Sequence, residues 1–246
     1  QVVYDTGARL SPTFDMGSRV IAPYLRSQGV NELDLLFISH LDNDHAGGFD
    51  GLNRILPIHQ IIGGQDLAHL TNKKHVSQRC YKGQRWVSED MVLKVFWPIR
   101  SGPSPDSTND HSCVVFVDFQ GISILLTGDI SREVEYQLLA SKDLPRNIDI
   151  LIAPHHGSRT SSSLAFIRYL NPKHVVFSTG FGNRYRHPAK DVDERYRIEG
   201  VRRWNTATNG AVTIKKAPGE KGFEIYGERQ FKPKPWFTES DNQLSK

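Results

Sequence analysis

The sequence has little cysteine, no long hydrophobic run and no internal repeat, and each absence excludes a class of protein. Its 246 residues contain two cysteines, too few for the disulfide framework of a small secreted domain, and their spacing does not match a zinc ribbon. No apolar run approaches the roughly 20 residues that cross a bilayer. No signal peptide is visible, and no fixed period indicates a solenoid or propeller.

The composition fits one globular domain of moderate charge. Hydrophobic residues make up 38% and charged residues 24% of the chain, as in ordinary folded proteins. The net charge of +4 permits an anionic partner without requiring one. We predict a single domain over residues 1–230 and a poorly ordered tail over 231–246, where Lys232-Pro233-Lys234-Pro235 resists regular structure. The chain starts inside an apparent strand, which indicates a fragment of a longer protein.

Short β-rich runs alternate with helical patterns, which predicts a mixed α/β fold. Strands are expected at 2–4, 33–38, 58–62, 91–97, 113–119, 122–127, 148–153, 174–178, 203–206, 211–215 and 223–226. Helices are expected at 18–26, 49–56, 131–141, 160–170 and 192–199. The segments 65–90 and 101–107 are predicted to be irregular.

Four metal-ligand side chains lie within six residues, directly after the apolar run 33–38. They are His40, Asp42, Asp44 and His45, and Gly47-Gly48 follows them. Four such groups are costly to bury unless something compensates them, and divalent cations do so. A polar turn after a strand more often contains Asn, Gly and Ser. This segment therefore predicts half of a metal site.

Further potential ligands end later strands in the same manner. Asp129 follows an apolar run and a glycine, the pair His155-His156 follows another run, and His187 lies beyond a third. Taken singly, Asp129 is equally compatible with a helix cap, and His187 is compatible with a loop residue that has no role. Taken together, all fall where open α/β sheets place ligands. Counting one of the paired histidines, the candidate ligands are His40, Asp42, Asp44, His45, Asp129, His155 and His187, a set that suits two ions sharing a bridging carboxylate.

These motifs resemble the metallo-β-lactamase fold. The resemblance rests on Asp5-Thr6-Gly7, the motif of residues 40–45, Thr127-Gly128-Asp129 and His187. The usual motif of that fold is His-x-His-x-Asp-His, and this chain has Asp42 where the second histidine would stand. The usual histidine ligand between the first motif and the Gly-Asp pair has no match either. Both departures argue against a β-lactamase.

The departures agree with one branch of the fold, the C-terminal domain of ComEC-type DNA-uptake proteins. The similarity runs from Asp5 to about Gly210 and adds three motifs: Asn109-x-x-Ser112, Pro154-His155-His156-Gly157-Ser158 and Asn183-Arg184-Tyr185-x-His187-Pro188. It implies a four-layer αββα sandwich without its first strands. It also implies a bacterial inner-membrane channel as the parent protein, with this domain on the extracytoplasmic face. The implied activity is hydrolysis of the DNA strand that is not taken up in transformation.

The resemblance also implies roles for the ligands. One ion would be held by His40, Asp42 and one histidine of the pair, with His155 preferred. The other would be held by Asp44, His45 and His187, with Asp129 bridging. His156 would lie near the substrate phosphate, so the implied catalytic residues are Asp44, Asp129 and His156. Asp5 would orient a ligand histidine. The oxygen-rich set favours Mn²⁺, with Zn²⁺ as the alternative.

Substrate phosphates need cationic or hydrogen-bonding partners. Ser158, Arg159 and Arg184 are the candidates, with Thr160 and Ser161 adding donors at a predicted helix start. Most charged residues only interact with solvent at the protein surface. Each of these arginines can therefore also be interpreted as a surface residue that does not bind substrate.

Other functions remain open on the sequence alone. Within the same fold, the alternative is hydrolysis of a phosphorylcholine-like ester or a lactone, although no aromatic cluster near the motifs indicates a choline pocket. From a different class, the alternative is a domain that only binds DNA or docks against the channel without catalysis. The apparent completeness of the ligand set favours an enzyme.

Overall fold

The computed structural model describes residues 1–71, 76–100, 107–217 and 222–231. Contacts group them into two compact units: the first comprises 1–85, 94–115 and 127–130, the second 86–93, 116–126 and the residues from 131 onward. Most of the predicted loop 101–107, His75 and nearly all of the predicted tail 231–246 lie outside the described residues. Within the described ranges, no helix has both the length and the apolar content that a membrane crossing requires.

Strands and helices alternate along the chain, as the sequence predicts. The strands are β1 (Val2–Tyr4), β2 (Arg9–Ser11), β3 (Phe14–Asp15), β4 (Leu33–Ile38), β5 (Ile58–Gly63), β6 (Val76–Arg79), β7 (Arg85–Val87), β8 (Met91–Trp97), β9 (Val114–Phe119), β10 (Ile122–Leu126), β11 (Ile150–Ile152), β12 (His174–Phe177), β13 (Arg202–Asn205), β14 (Val212–Lys216) and β15 (Phe223–Gly227). The α-helices are α1 (Ala22–Ser27), α2 (Asn43–Ala46), α3 (Phe49–Ile55), α4 (Ala68–Thr71), α5 (Arg132–Ser141), α6 (Leu164–Leu170), α7 (Lys190–Ile198), α8 (Thr206–Asn209) and α9 (Glu228–Phe231). A π-helical turn spans Gly17–Ile21, and 3₁₀ turns span Asn109–His111 and Pro154–Gly157.

The first unit is built on a four-stranded sheet in the order β1-β4-β5-β6. All its strand pairs are parallel, with Tyr4 opposite Phe37 and Phe37 opposite Ile62. Strand β4 is buried except at Asp34, as expected for a central parallel strand. Because parallel strands end at the same edge, the residues that follow β1 and β4 are brought together there.

The core of the first unit lies between this sheet and α3. Phe49 and Leu52 of α3 are buried against Leu36, Ile38 and other residues of the same cluster. The spacing of three between them places both side chains on one face of the helix. The helix thereby packs on the sheet and fixes the loop between β4 and α3, which contains the first histidine motif.

The second unit contains parts of all seven strands of a sheet ordered β13-β12-β11-β10-β9-β8-β7. Strands β10 to β13 are parallel to one another. β9 and β10 form the predicted hairpin, and Gln120 and Gly121 between them have φ of 52° and 83°, which is typical of a type I′ turn. The segments after β11 and β12 therefore share one sheet edge.

Three predicted segments differ from the structure by more than shifts of one or two residues at their ends. The helix predicted over 160–170 begins only at Leu164, because Ser163 is its N-cap and accepts a hydrogen bond from the Phe166 N–H. In the range 18–26, a π-helical turn precedes α1, and Asp15 rather than Ser18 provides the side-chain acceptor at the start. The range 65–90 is not irregular, since it contains α4, β6 and β7.

The two cysteines are partners. Cys80 and Cys113 form a disulfide within the first unit, and both are buried. This pairing was not predicted from the sequence. The disulfide joins the segment after β6 to the residue that follows Ser112.

Candidate metal centre

The carboxyl ends of β1 and β4 deliver the first polar residues of the candidate site. Asp5 follows β1 and has a left-handed backbone with φ of 63°, a conformation that is uncommon outside glycine. Its N–H donates to the Phe37 carbonyl at 2.8 Å, which extends the strand pairing by one residue. Ser39 and His40 follow β4 and are fully buried.

Asp5 is the central acceptor of this group. Its Oδ1 accepts the Ser39 N–H at 2.6 Å, and its Oδ2 accepts the Ser39 hydroxyl at 2.9 Å. The same Oδ2 lies 2.7 Å from His45 Nδ1. Because a carboxylate only accepts, His45 Nδ1 carries a hydrogen, and Nε2 is the ring nitrogen left to bind a metal. Asp5 therefore holds His45 in the tautomer that binds metals.

His40 is held in the same tautomer through Ser39. The Ser39 hydroxyl donates to Asp5, so its oxygen accepts from His40 Nδ1 at 3.0 Å. The Ser112 hydroxyl lies 3.3 Å from the same nitrogen. His40 Nε2 is buried and has no hydrogen-bond partner among the described residues, while Asp42 Oδ2 lies 3.7 Å from it. A buried nitrogen with a free lone pair beside a carboxylate fits a cation ligand.

Asp42 has no competing role. It occupies the N-cap position of α2, but its side chain makes no capping hydrogen bond. Its carboxylate is 45% exposed, so an ion from solvent can reach it. The short helix then turns Asp44 and His45 toward the same end of the sheet.

His45 also meets two further predicted ligands. Its Nε2 lies 3.2 Å from Asp129 Oδ1 and 3.9 Å from Asp44 Oδ2. Ligand atoms of these three residues all lie within 4.8 Å of one another. One ion at a usual coordination distance from each fits this spacing, because first-row metals bind such atoms at about 2.0–2.2 Å. The donor set of imidazole and carboxylate therefore suits a divalent transition metal.

The electrostatics of the two histidines differ. Burial and the neighbouring His45 lower the pKa of His40, so its imidazole is neutral near pH 7. Burial alone would lower the pKa of His45, but hydrogen bonds to Asp129 and Asp5 outweigh it and raise that pKa to about 11. In the metal-free protein His45 is therefore protonated and bonds to both carboxylates. A bound cation would replace that proton.

Gly128 sets the approach of Asp129 to the histidines. It has φ of +54°, and a Cβ there would lie 2.6 Å from Ser112 Oγ and 2.9 Å from Ser39 Cβ. The Asp129 N–H donates to Ser112 Oγ at 2.9 Å, so Ser112 links both ligands. Neither serine has a role in the sequence interpretation beyond its place in a motif. Helix α5 begins at Arg132 with Ser131 as its N-cap, so Asp129 is not a capping residue.

Replacing Gly128 with alanine is expected to destabilise the protein by about 2–4 kcal/mol, from left-handed strain and overpacking together. Gly29→Ala is the matched control, because Gly29 also has positive φ, of +79°, but no atom near its virtual Cβ. Urea unfolding of both variants separates strain from crowding. Equal losses in the two variants would contradict the close approach of Gly128 to Ser39 and Ser112.

The second unit places the histidine pair on an unusual backbone. His155, His156 and Gly157 all have left-handed φ, of 50°, 55° and 83°. Two consecutive non-glycine residues in this region cost about 1–3 kcal/mol each. The surrounding loop holds them, since Ser161 Oγ donates to the Pro154 carbonyl at 2.7 Å. Strain maintained in this way is typical of functional segments.

The two histidines have different partners. His156 Nδ1 lies 2.8 Å from the Ser178 carbonyl after β12, and a carbonyl only accepts, so Nδ1 carries the hydrogen and Nε2 keeps a lone pair. His155 Nδ1 lies 3.1 Å from the Thr160 hydroxyl, whose hydrogen is donated to Ser158, so this nitrogen also carries its hydrogen and donates to the Thr160 oxygen. The backbone contact thus fixes His156 in a ligand-type tautomer.

His187 is held by Asn183. The Asn183 side chain accepts the His187 N–H and donates to the His187 carbonyl, both at 2.8 Å. The ring centroids of His155 and His187 are 5.9 Å apart, so the second unit brings these two predicted ligands together. The His187–Pro188 peptide bond is cis.

The three predicted phosphate-binding residues have different surroundings. Ser158 is buried, and its hydroxyl accepts from the Thr160 hydroxyl at 3.0 Å. Arg159 is exposed but paired with Asp191 at 2.9 Å. The Arg184 guanidinium lies over the Tyr185 ring, 4.6 Å from its centroid. The donors expected at a helix start near Thr160 and Ser161 are not there, because α6 begins later and Ser161 is fully buried.

The profile of the metallo-β-lactamase superfamily matches residues 1–180. The chain belongs to the metallo-β-lactamase superfamily. This membership supports a metal-dependent hydrolase, and it confirms the predicted fold class.

Within the superfamily, two relatives are similar over most of this chain. Protein YcaI from Escherichia coli K12 is 34% identical over 213 residues, which is 87% of this chain and 27% of that protein. Competence protein ComA from Neisseria gonorrhoeae is 32% identical over 211 residues, which is 86% of this chain and 28% of that protein. The chain thus spans about a quarter of the length of these relatives. The predicted resemblance to ComEC-type competence proteins is confirmed.

A solved structure shares the metallo-β-lactamase fold. The crystal structure of a "putative metal-dependent hydrolase" from Parabacteroides distasonis superposes with a TM-score of 0.50 and 16% identity. The similarity covers 72% of this chain and 77% of that chain. At this identity the likeness concerns the fold alone.

Proposed function

We propose that this domain is a metal-dependent phosphodiesterase that cleaves DNA during uptake for natural transformation and degrades the strand that is not taken up. The observation that carries the proposal is His40. Its buried Nε2 keeps a lone pair with no hydrogen-bond partner among the described residues, and Asp42 lies beside it. A protein without a cation there would leave this nitrogen desolvated and uncompensated.

Bound divalent ions would supply an activated water and would stabilise the attacking and leaving oxygens of a phosphodiester. The chain's own residues prepare the site for them. Asp5 and Ser39 orient the lone pairs of His45 and His40. Asp129 provides a buried carboxylate 3.2 Å from His45, and Ser112 positions its backbone. Asp44, which is 56% exposed, is the ligand most open to solvent and to substrate.

One histidine of the His155-His156 pair and His187 complete the proposed ligand set. This step rests on the sequence motifs and on the family. Support for His156 as the ligand of the pair comes from its Nδ1 hydrogen bond to the Ser178 carbonyl, since metal-binding histidines usually donate their other ring N–H to a carboxylate, a backbone carbonyl or water. His155 would then lie next to the substrate, with His187 close to it. Asp42 in place of a histidine makes the set richer in oxygen, which favours Mn²⁺ over Zn²⁺.

DNA as substrate is supported by a relative that is named as a competence protein, and a membrane channel as the parent protein is supported by the resemblance to ComEC-type proteins. An extracytoplasmic location is supported by the Cys80–Cys113 disulfide, because disulfides persist in oxidising compartments. The whole parent protein would carry the DNA channel, and this domain would act on the strand that remains outside.

The decisive experiment is incubation of end-labelled single- and double-stranded DNA with chelated, metal-free protein to which Mn²⁺ or Zn²⁺ is returned. We expect Mn²⁺ to restore cleavage and Asp44→Ala to lose most of it. Asp50→Ala is the matched control, an exposed carboxylate six residues away that pairs with Arg9 on the surface. Full restoration by Zn²⁺ but not by Mn²⁺ would overturn the metal preference. Turnover of a phosphorylcholine ester or a lactone without any DNA cleavage would overturn the substrate.

A further inference from the structure

The loop from Gly180 to Pro188 combines an exposed aromatic ring with cationic side chains. The Phe181 side chain is 72% exposed, the largest exposure among the large hydrophobic residues of the described chain. Residues 180–190 contain Arg184, Arg186 and Lys190 and no carboxylate. Exposed aromatic rings alternating with cations are the usual surface of proteins that bind single-stranded nucleic acids.

This loop is held in one conformation. The Asn183 side chain bonds both the N–H and the carbonyl of His187, and it also donates to the Gly180 carbonyl at 3.2 Å. The Arg186 N–H donates to the Asn183 carbonyl at 3.0 Å. One amide thus ties the two ends of the loop together, and the exposed ring of Phe181 is presented from a fixed backbone. Such preorganisation lowers the entropic cost of binding.

Phe181 also borders a cavity of suitable size. The cavity has a volume of about 430 Å³, and Arg186, His187, Lys190 and Arg203 line it together with Phe181. Volumes of about 300–1,000 Å³ are usual for small-ligand sites, so one nucleotide fits. Arg203 is paired with Asp193 at 2.7 Å, which leaves Arg186 and Lys190 as the cations for phosphate.

Tyr185 has a different task in the loop. Its ring is stacked on His187 with an angle of 18° and a centroid distance of 5.7 Å, and the Arg184 guanidinium lies over it. Because its ring is already engaged, it is a weaker platform for a base than Phe181. It supports His187 and holds Arg184 in place.

We propose that this loop binds an unpaired nucleotide of DNA, with the base stacked on Phe181 and the adjoining phosphates bound by Arg186 and Lys190. In a duplex, both faces of each base are covered by its neighbours, so only an unpaired base offers a face to the ring. The inference rests on the proposed function for DNA as the ligand. It adds that the site beside His187 prefers single-stranded over double-stranded DNA.

The test measures binding without cleavage. Fluorescence anisotropy of labelled dT15 and of a 15-base-pair duplex is followed in the presence of chelator, for the wild type and for Phe181→Leu, Phe181→Trp and Tyr136→Leu. We expect Phe181→Leu to weaken dT15 binding about tenfold, since stacking on an aromatic ring contributes about 1–3 kcal/mol per base. Duplex binding should change less than twofold, and Phe181→Trp should bind dT15 as the wild type does.

The controls separate stacking from general damage. Tyr136 is an exposed aromatic residue on α5 of the same unit, 54% exposed, and its replacement should leave dT15 binding unchanged. The inference is overturned if Phe181→Leu binds dT15 as Tyr136→Leu does, or if it loses both oligonucleotides equally. Cleavage is measured separately, in the experiment with returned metal. If that experiment shows no cleavage but Phe181→Leu weakens dT15 binding as expected, the proposed function is rejected and the binding site is retained. If DNA is cleaved but Phe181→Leu has no effect on dT15 binding, the binding site is rejected and the proposed function is retained.

Discussion

Asp129→Asn is expected to remove bound divalent metal and to reduce phosphodiesterase activity about a thousandfold. The side chain of Asp129 is only 6% exposed and lies 3.2 Å from His45 Nε2. An asparagine keeps the shape but offers one neutral oxygen instead of an anionic carboxylate. A metal contributes several kcal/mol of transition-state stabilisation, and each 1.36 kcal/mol is a factor of ten in rate. Elemental analysis and DNA cleavage on the same preparation measure both effects.

Asp15→Asn is the matched control for this prediction. Asp15 is likewise a buried carboxylate of the first unit, 8% exposed, but it accepts hydrogen bonds from Ser18 at the start of a helical turn. Its replacement should lower stability and leave the metal content unchanged. If Asp129→Asn retains its full complement of ions, Asp129 is not a ligand and the proposed centre is wrong.

The strands of the fold were predictable because they are buried and regular. Leu33–Ile38 and Met91–Trp97 have the predicted bounds, since apolar runs flanked by polar residues mark such strands clearly. Strand β6 was missed because Val76–Arg79 carries little apolar pattern and depends on pairing with β5. Edge strands of this kind are defined by their neighbours rather than by their own residues.

The helix predicted over 160–170 starts later, at Leu164, for a physical reason that its sequence does not reveal. Residues 160–163 all have hydroxyl side chains, which do not interrupt a helical pattern in the sequence. Ser162, however, has a left-handed φ of 57°. The N–H groups of Ser162 and Ser163 bond to the Glu135 carboxylate, 27 and 28 residues away in sequence. A tertiary contact thus replaced the first helical turn.

The sequence indicated the candidate ligands, but it indicated few of the residues that hold those ligands in place. Imidazoles and carboxylates at the ends of predicted strands indicate a metal site from the sequence alone. Asp5 was also expected to orient a histidine. That it bonds His45 directly and reaches His40 through Ser39 follows only from the fold. Serine is too common in loops to be singled out from one sequence. The supporting contacts of Ser39 and Ser112 were therefore found only in the folded structure.

Glu135→Ala is expected to destabilise the protein by about 2–5 kcal/mol, because it leaves two buried backbone N–H groups without an acceptor. Glu135 is fully buried on α5, and its two oxygens accept the Ser162 and Ser163 N–H groups at 2.5 and 2.7 Å. The segment so held runs directly into Ser161, whose hydroxyl bonds the Pro154 carbonyl before the histidine pair. Loss of the carboxylate should therefore also loosen the strained backbone of His155 and His156.

Glu133→Ala on the same helix is the control for Glu135→Ala, since Glu133 is exposed and its loss should cost less than about 1 kcal/mol. Urea unfolding gives the stability of each variant, and metal content at equal protein concentration reports on the histidine loop. If Glu135→Ala unfolds like Glu133→Ala, the buried contacts contribute nothing. If it is destabilised but binds as much metal as the wild type, Glu135 supports the fold without positioning the histidines. A fall in both, with Glu135→Gln in between because its amide has a single acceptor oxygen, identifies Glu135 as the residue that holds the histidine pair in its left-handed conformation.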